Sequence, residues 1–292
     1  YVTLMIAAMP WRYFASKKYP HAPHRGWDEV FHWVNRQYLA ACDIPVVVEG
    51  HEHMAPSGQP AVYAANHGSS LDGSFFQAVA DRPGLAITAP ARFFPWPFSF
   101  WVGRIGAIQV ARSPQEEQKY PEALAHQAVV DAAVRRIRRG ESVLIFPEGH
   151  VQRSPHLQHF KTGAARIALA AGVPLIPVSI RGDYALWPAN RPMLVHPQRV
   201  TLVFHAVANL LPTEPTLASD QERVELWTNQ LLHRIAHGLE TTFQGGLPDC
   251  DCRDLFRPVS NATTQSKKRR GQHRSATPPR PSRSAVRSLG PN

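Results

Sequence analysis

Short apolar runs separated by stretches of helical periodicity constrain this chain more than any other feature. Val46–Val48, Ala61–Ala65, Ser142–Phe146 and Pro174–Ile180 are too short for buried helices and rich in β-branched or other apolar residues, so each predicts a buried strand. Leu85–Ala89 predicts another, and the alternating Arg199–Phe204 predicts a strand near an edge. From Asp28 to Cys42, Phe31, Val34, Tyr38 and Ala41 recur on one stripe, which predicts an amphipathic helix packed on a core. Helices are also expected over Leu71–Ala80, Lys161–Ala171 with Gly172 as its stop, and Asp220–Phe243. One longer helix is expected to start near Ser113-Pro114, or later because of Pro121, and to end at Arg139 before Gly140. Strands alternating with helices predict an α/β fold: a mixed, largely parallel sheet flanked by helices on both faces, with an N-terminal helical segment. No internal repeat is visible.

The net charge of +10 over 292 residues suggests a nucleic-acid partner until it is located. Residues 258–292 hold eight of the 32 basic residues and no acid, which leaves 24 basic against 22 acidic residues in 1–257. The body is therefore nearly neutral and shows no zinc-finger or RNA-recognition signature, so no nucleic-acid partner is expected. The tail also carries five Pro and six Ser and cannot bury enough apolar surface to offset ordering entropy. The expected organisation is an N-terminal helical segment at 1–43, a main domain at 44–257 and a disordered basic tail at 258–292.

Cys42, Cys250 and Cys252 are too few for a disulfide scaffold and too poorly spaced for a structural zinc site, so a reduced compartment and no metal are expected. No run of eighteen apolar residues occurs: Ile167–Ile180 is broken by Gly172, Pro174 and Pro177. The apolar segment Tyr1–Trp11 reads either as a membrane-surface anchor or as a packed helix. Phe93–Trp101, dense in Phe, Trp and Pro, reads as a membrane-interface element or, under the family resemblance given below, an acyl-contact element.

Three segments carry chemistry. Asn66-His67-Gly68-Ser69-Ser70-Leu71-Asp72 falls where a buried strand gives way to a helix, the edge at which open α/β sheets place ligands. With His67 in the loop and Asp72 in the first helical turn, the carboxylate can fold back, fix the imidazole tautomer and raise its basicity, as a general base requires. Phe146-Pro147-Glu148-Gly149 follows a second buried strand, and its Pro and Gly predict a turn that presents Glu148 into the crevice. Positive charge near glycines, at Arg112 beyond Gly106 and at Arg153 and Lys161, suits phosphate contact.

Taken in order, Asn66-His67-x-x-x-x-Asp72, Gly106-x-x-x-x-x-Arg112, Phe146-Pro147-Glu148-Gly149, Phe160-Lys161-x-Gly163 and Val173-Pro174-Leu175-Ile176-Pro177-Val178 resemble the glycerolipid acyltransferase family typified by 1-acylglycerol-3-phosphate acyltransferase. The resemblance spans about Ile44 to Phe204. It implies transfer of a fatty acyl group from acyl-coenzyme A or acyl carrier protein to a lysophospholipid hydroxyl, without a cofactor or metal, at the cytoplasmic face of a membrane with peripheral or N-terminal attachment. His67 would be the general base and Asp72 its orienting partner; Arg112 would hold the acceptor phosphate, Glu148, Gly149 and Arg153 would belong to the acceptor site, and Lys161 would add a phosphate contact. The family's third block usually continues Gly-Thr-Arg-Ser, whereas here it reads Gly149-His150-Val151-Gln152-Arg153-Ser154, and Ala111 stands where an acid is expected before Arg112. Both departures fall on the acceptor side. Backbone N–H groups at the helix start after Gly68 are the candidates for stabilising the oxyanion. A lipid hydrolase would need a Gly-x-Ser-x-Gly elbow, which is missing.

Overall fold

A computed structural model describes residues 23–56, 58–79, 85–90, 107–120, 123–187, 198–207 and 219–239. The expectations for Tyr1–Trp11, Phe93–Trp101, Cys250, Cys252 and the tail at 258–292 lie outside the described residues. Helix α1 (Pro23–Ala41) leads into β1 (Val46–Glu49), a short 3-10 turn (His51–His53), β2 (Val62–Ala65) and α2 (Asp72–Val79). Then come β3 (Leu85–Pro90), β4 (Ile108–Val110), α3 (Pro114–Lys119), α4 (His126–Ile137), β5 (Ser142–Ile145), α5 (Gly163–Ala171), β6 (Leu175–Arg181), β7 (Val200–Phe204) and α6 (Asp220–Leu239).

The strands form one sheet in the order β1-β7-β6-β2-β5-β3-β4. All neighbours are parallel except β6 and β7, so the sheet is mixed and largely parallel, as expected. The central strand β2 shows why the sequence folds this way: its four side chains are all buried, alternating between two apolar layers. Val62 and Ala64 pack with Ala133 of α4, Ala165 of α5 and Trp227 and Leu231 of α6. Tyr63 and Ala65 pack with Leu39 of α1, Phe75 and Phe76 of α2 and Phe204 of β7. Burying a side chain such as Phe75 or Leu144 contributes about 1.5–3 kcal/mol.

The structure departs from the sequence expectations at definite places. The expected helix ending at Arg139 is two helices. Ser113 caps α3, its side chain accepting the Glu116 N–H at 3.2 Å, but Leu124 then pairs with β4 through Ala111 N–H to Leu124 O and Leu124 N–H to Gln109 O, both 2.8 Å. That extended pairing interrupts the helix and reveals β4, which the sequence reading missed. The stop holds: Gly140 takes a φ of +84°. β7 lies near an edge as expected, one strand in from the edge strand β1, and its alternation reports one well-covered face, with Val200, Leu202 and Phe204 buried. The buried stripe of α1 runs through Val30, Val34 and Leu39, with Phe31 and Tyr38 half-buried and Ala41 exposed. Among the described residues no helix is long and apolar enough to cross a membrane.

β6, β2, β5, β3 and β4 run in one direction. Their carboxyl ends therefore share one edge, and the loops after β2, β5 and β6, the three adjacent central strands, lie side by side there. The chain leaves β2 toward β3 on one side and later returns to β6 on the other, so this edge is a topological switch point.

Candidate active site

His67 lies in the loop after β2, and Asp72 is the first residue of α2. The imidazole Nδ1 and Asp72 Oδ2 are 2.8 Å apart, the geometry expected from the five-residue spacing. Asp72 Oδ2 also accepts the Ser69 N–H at 3.0 Å. The Asp72 side chain is fully buried while that of His67 keeps 15% exposure, so the imidazole still opens to the outside. It stacks on Phe146 at 4.0 Å between ring centroids and 12° between planes, and among the described residues no hydrogen-bond partner reaches Nε2. A carboxylate on one nitrogen and an open second nitrogen is the arrangement a general base needs.

Burial pushes the His67 imidazole down to about 4, against the pull of Glu148 and with the Arg112 charge adding to the fall. Here desolvation outweighs the rise in basicity expected from the Asp72 pairing. The result is a neutral imidazole at neutral pH, the form able to accept a proton.

Glu148 does not point into the crevice. It is 1% exposed and holds the loops together from beneath: Oε1 accepts the His67 N–H at 2.9 Å and Gln152 Nε2 at 2.8 Å, and Oε2 accepts the Gln158 N–H at 3.2 Å. The Gln152 N–H returns the tie by donating to His67 O at 2.7 Å. Burial pushes the Glu148 carboxyl up to about 7 despite the hydrogen bonds from His67, Gln152 and Gln158 and the nearby His67 charge, all of which lower it. Gly149, at φ +77°, turns the chain sharply after it, and Lys161 lies across this glycine: a Cβ there would sit 2.9 Å from Lys161 Nζ.

Arg112 is half-buried in the segment after β4, its N–H donating to Glu116 Oε2 at 2.8 Å, and its charge acts on His67. Arg153 is exposed, and its backbone carbonyl accepts the Tyr184 hydroxyl at 3.0 Å. His150, at the position where the family carries Thr, places Nε2 2.5 Å from Gln158 Oε1. Among the described residues no three His, Cys, Asp or Glu side chains are arranged to hold a metal ion.

The backbone N–H groups from Gly68 to Asp72 are already engaged. Gly68 donates to Asp183 Oδ2 at 3.0 Å, Ser69 to Asp72, Ser70 to Trp187 O at 3.1 Å, Leu71 to Ser69 Oγ at 3.2 Å and Asp72 to Ser69 O at 3.3 Å. These five N–H groups shape the loop and are not free for an oxyanion in this conformation. Asp183, Asn66, Gln152 and Gln158 were missed as site residues. Gly182-Asp183, directly after an apolar strand, repeats the strand, glycine and acid punctuation seen at Glu148-Gly149 and was the available signal.

Residues 45–181 match the Acyltransferase family. The chain is 31% identical over 178 residues to a 1-acyl-sn-glycerol-3-phosphate acyltransferase of Chlamydomonas reinhardtii, covering 60% of this chain and 51% of that protein. It is 30% identical over 149 residues to a lyso-ornithine lipid O-acyltransferase of Pseudomonas aeruginosa, covering 51% of this chain and 52% of the relative. The chain spans about half the length of the curated relatives it matches. Its fold is that of the crystal structure of the 1-acyl-sn-glycerophosphate (LPA) acyltransferase from Thermotoga maritima, with a TM-score of 0.59 and 19% identity over 80% of this chain and 94% of the other. The match to the Acyltransferase family spans β1 to the end of β6 and encloses His67, Asp72, Arg112 and Glu148, and over that span the chain is similar to the glycerolipid acyltransferases.

Proposed function

We propose that this protein transfers a fatty acyl group from acyl-coenzyme A or acyl carrier protein to the hydroxyl of a lysophospholipid, with 1-acylglycerol-3-phosphate as acceptor and phosphatidic acid as product. The observation that carries the reading is the His67 Nδ1 to Asp72 Oδ2 contact of 2.8 Å, with Nε2 left open at the carboxyl edge of the sheet. Nε2 takes the proton of the acceptor hydroxyl as its oxygen attacks the thioester carbonyl. The new C–O bond forms, the C–S bond breaks, and the proton passes from the imidazolium to the departing thiolate. A thioester is already activated, so the reading needs no covalent enzyme intermediate and no cofactor beyond the acyl donor. Arg112 and Lys161 hold the acceptor phosphate, with Arg153 at the exposed rim; Gly149 lets the chain turn tightly beside Lys161, and Glu148 serves the acceptor side by fixing the loop that carries His67. The acceptor is itself a membrane lipid, so a lipid surface is the partner, met at its cytoplasmic face by peripheral or N-terminal attachment.

One observation favours a different headgroup on the same chemistry. His150 replaces the third-block Thr and is spent on Gln158 rather than left to a ligand, and one relative is named for a lyso-ornithine lipid. Incubating purified protein with labelled acyl donor and either 1-acylglycerol-3-phosphate or lyso-ornithine lipid, then weighing the products by mass spectrometry, decides between them. In either case His67→Ala is expected to abolish transfer while the protein remains folded; full transfer by that variant ends the proposal.

A further inference from the structure

Besides the His67 and Asp72 pair, a second carboxyl group is buried at the same loop. Asp183, 4% exposed, follows β6 and Gly182. Its Oδ2 accepts the Gly68 N–H at 3.0 Å and Asn66 Nδ2 at 3.2 Å, and its Oδ1 accepts the Tyr184 N–H at 2.8 Å. Asn66, 2% exposed, is locked to β6 in both directions: Nδ2 donates to Ile180 O at 3.0 Å and Oδ1 accepts the Ile180 N–H at 2.7 Å. The loop carrying His67 is thus fastened to the end of β6 by a carboxyl group more than a hundred residues away in the chain. There is no slack at the joint, because a Cβ on Gly68 would lie 2.5 Å from Asp183 Oδ2.

An independent observation links Asp183 to Asp72. Asp72 Oδ2 is occupied by His67 and Ser69, whereas Asp72 Oδ1 is buried and no N–H or hydroxyl hydrogen reaches it. The Asp183 carboxyl is held on the neighbouring backbone N–H, Gly68 beside Ser69, and the two buried acids act on one another. Two acids on adjacent backbone amides and this deeply buried cannot both stay charged without severe cost, so a proton shared by the pair would supply the missing bond. Burial, and for Asp183 also the Asp72 charge, pushes both acids well above the usual carboxylate range.

We propose that Asp183 is a positioning residue of this site: together with Asn66 it holds Gly68 in place and, by a shared proton, orients the Asp72 carboxylate that in turn orients His67. The inference rests on the acyl-transfer reading and extends it to a residue that touches neither substrate nor imidazole.

The test is steady-state kinetics of the full chain with acyl-coenzyme A and 1-acylglycerol-3-phosphate or lyso-ornithine lipid, whichever the wild type accepts, comparing Asp183→Ala, Asp183→Asn and His67→Ala. Misplacing a catalytic group by about 1 Å costs roughly 100-fold in rate, so Asp183→Ala is expected to lose about 100-fold in kcat with both KM values within about threefold. Asp183→Asn is expected within about tenfold of wild type, since an amide can accept the Gly68 N–H and donate to Asp72 Oδ1, giving up only the Tyr184 N–H bond. Asp183→Ala within threefold of wild type, an Asn variant no better than Ala, or a loss appearing in KM rather than kcat overturns the inference. Should Asp183→Ala not fold, Asp183→Asn decides: activity within tenfold and a retained downfield Nδ1 proton of His67 in the NMR spectrum support it, and loss of either overturns it. His67→Ala separates the two levels. If that variant is inactive while Asp183→Ala is active, only this inference falls; if it transfers acyl groups, the function and the inference fall together.

Discussion

His67 and Glu148, each in a loop after a central strand, are tied through the backbone of the one and the carboxylate of the other, His67 N–H to Glu148 Oε1 at 2.9 Å. The partner loop returns the tie through Gln152 N–H to His67 O. The backbone of the residue proposed as general base is thus clamped on both its N–H and its carbonyl by the β5 loop, which leaves the imidazole to be aimed by the Asp72 carboxylate and the face of Phe146. Several measurable consequences follow from this clamp and its surroundings.

Removing the clamp leaves donors stranded. Glu148→Ala strips the acceptor from His67 N–H, Gln158 N–H and Gln152 Nε2, and an unsatisfied buried group costs about 1–3 kcal/mol. Glu148→Ala is expected to lose at least that much stability in urea denaturation and most of its kcat. Wild-type stability in this variant would show that the three bonds do not hold the loop.

The pH dependence separates two groups. Glu148, at about 7 in the fold against an ordinary 4.5, keeps its proton in the native state where the unfolded chain has lost it. Its contribution is fully present below 4.5 and is lost as pH rises through about 7, with a slope of at most about 1.4 kcal/mol per pH unit. The difference in unfolding free energy between wild type and Glu148→Gln should therefore shrink across that window, and a flat difference contradicts it. In the same variant, which no longer titrates at 148 and has lost the upward pull of that charge, the acid limb of kcat/KM should report His67 and fall at about 4 or below rather than near the ordinary 6.5. A limb at 6–7 would show that the imidazole is not desolvated as described.

Two glycines at positive φ differ in what surrounds them. At Gly149 an added Cβ meets the flexible end of Lys161, so Gly149→Ala should cost about 1–2 kcal/mol, mainly from the left-handed backbone. At Gly182, φ +84°, the same Cβ lies 2.6 Å from the backbone oxygen of Arg199, which cannot step aside. Gly182→Ala should lower the thermal midpoint by clearly more than Gly149→Ala; equal shifts would contradict this ranking.

Charge at the acceptor end should appear in binding. Losing Arg112 is expected to raise the KM of a phosphate-bearing acceptor by tenfold or more, on the order of the 1.5–3 kcal/mol typical of a charged hydrogen bond, and that of the acyl donor far less. Equal changes in the two KM values would remove Arg112 from the acceptor. Arg153, exposed at the rim, should show the smaller effect.

What the amino-acid sequence determined by itself is local. Strand and helix periodicity gave the α/β alternation and the two-faced packing of β2, because burial on a strand or helix leaves its imprint within a few residues. The His67 and Asp72 pair was legible for the same reason: five positions and one helical turn suffice to bring them together. Tertiary structure alone decided the rest. That β7 lies between β1 and β6, parallel to the first and antiparallel to the second, that Leu124 pairs with β4 and splits a helix, and that Glu148 holds the His67 loop all depend on which strands become neighbours. The N–H of Gly68 is held by Asp183, 115 residues along the chain, and such a contact arises only when β2 and β6 pair in register, Ala65 opposite Val178. Local propensity carries no record of a partner that distant, since its free energy is realised only after the sheet has closed.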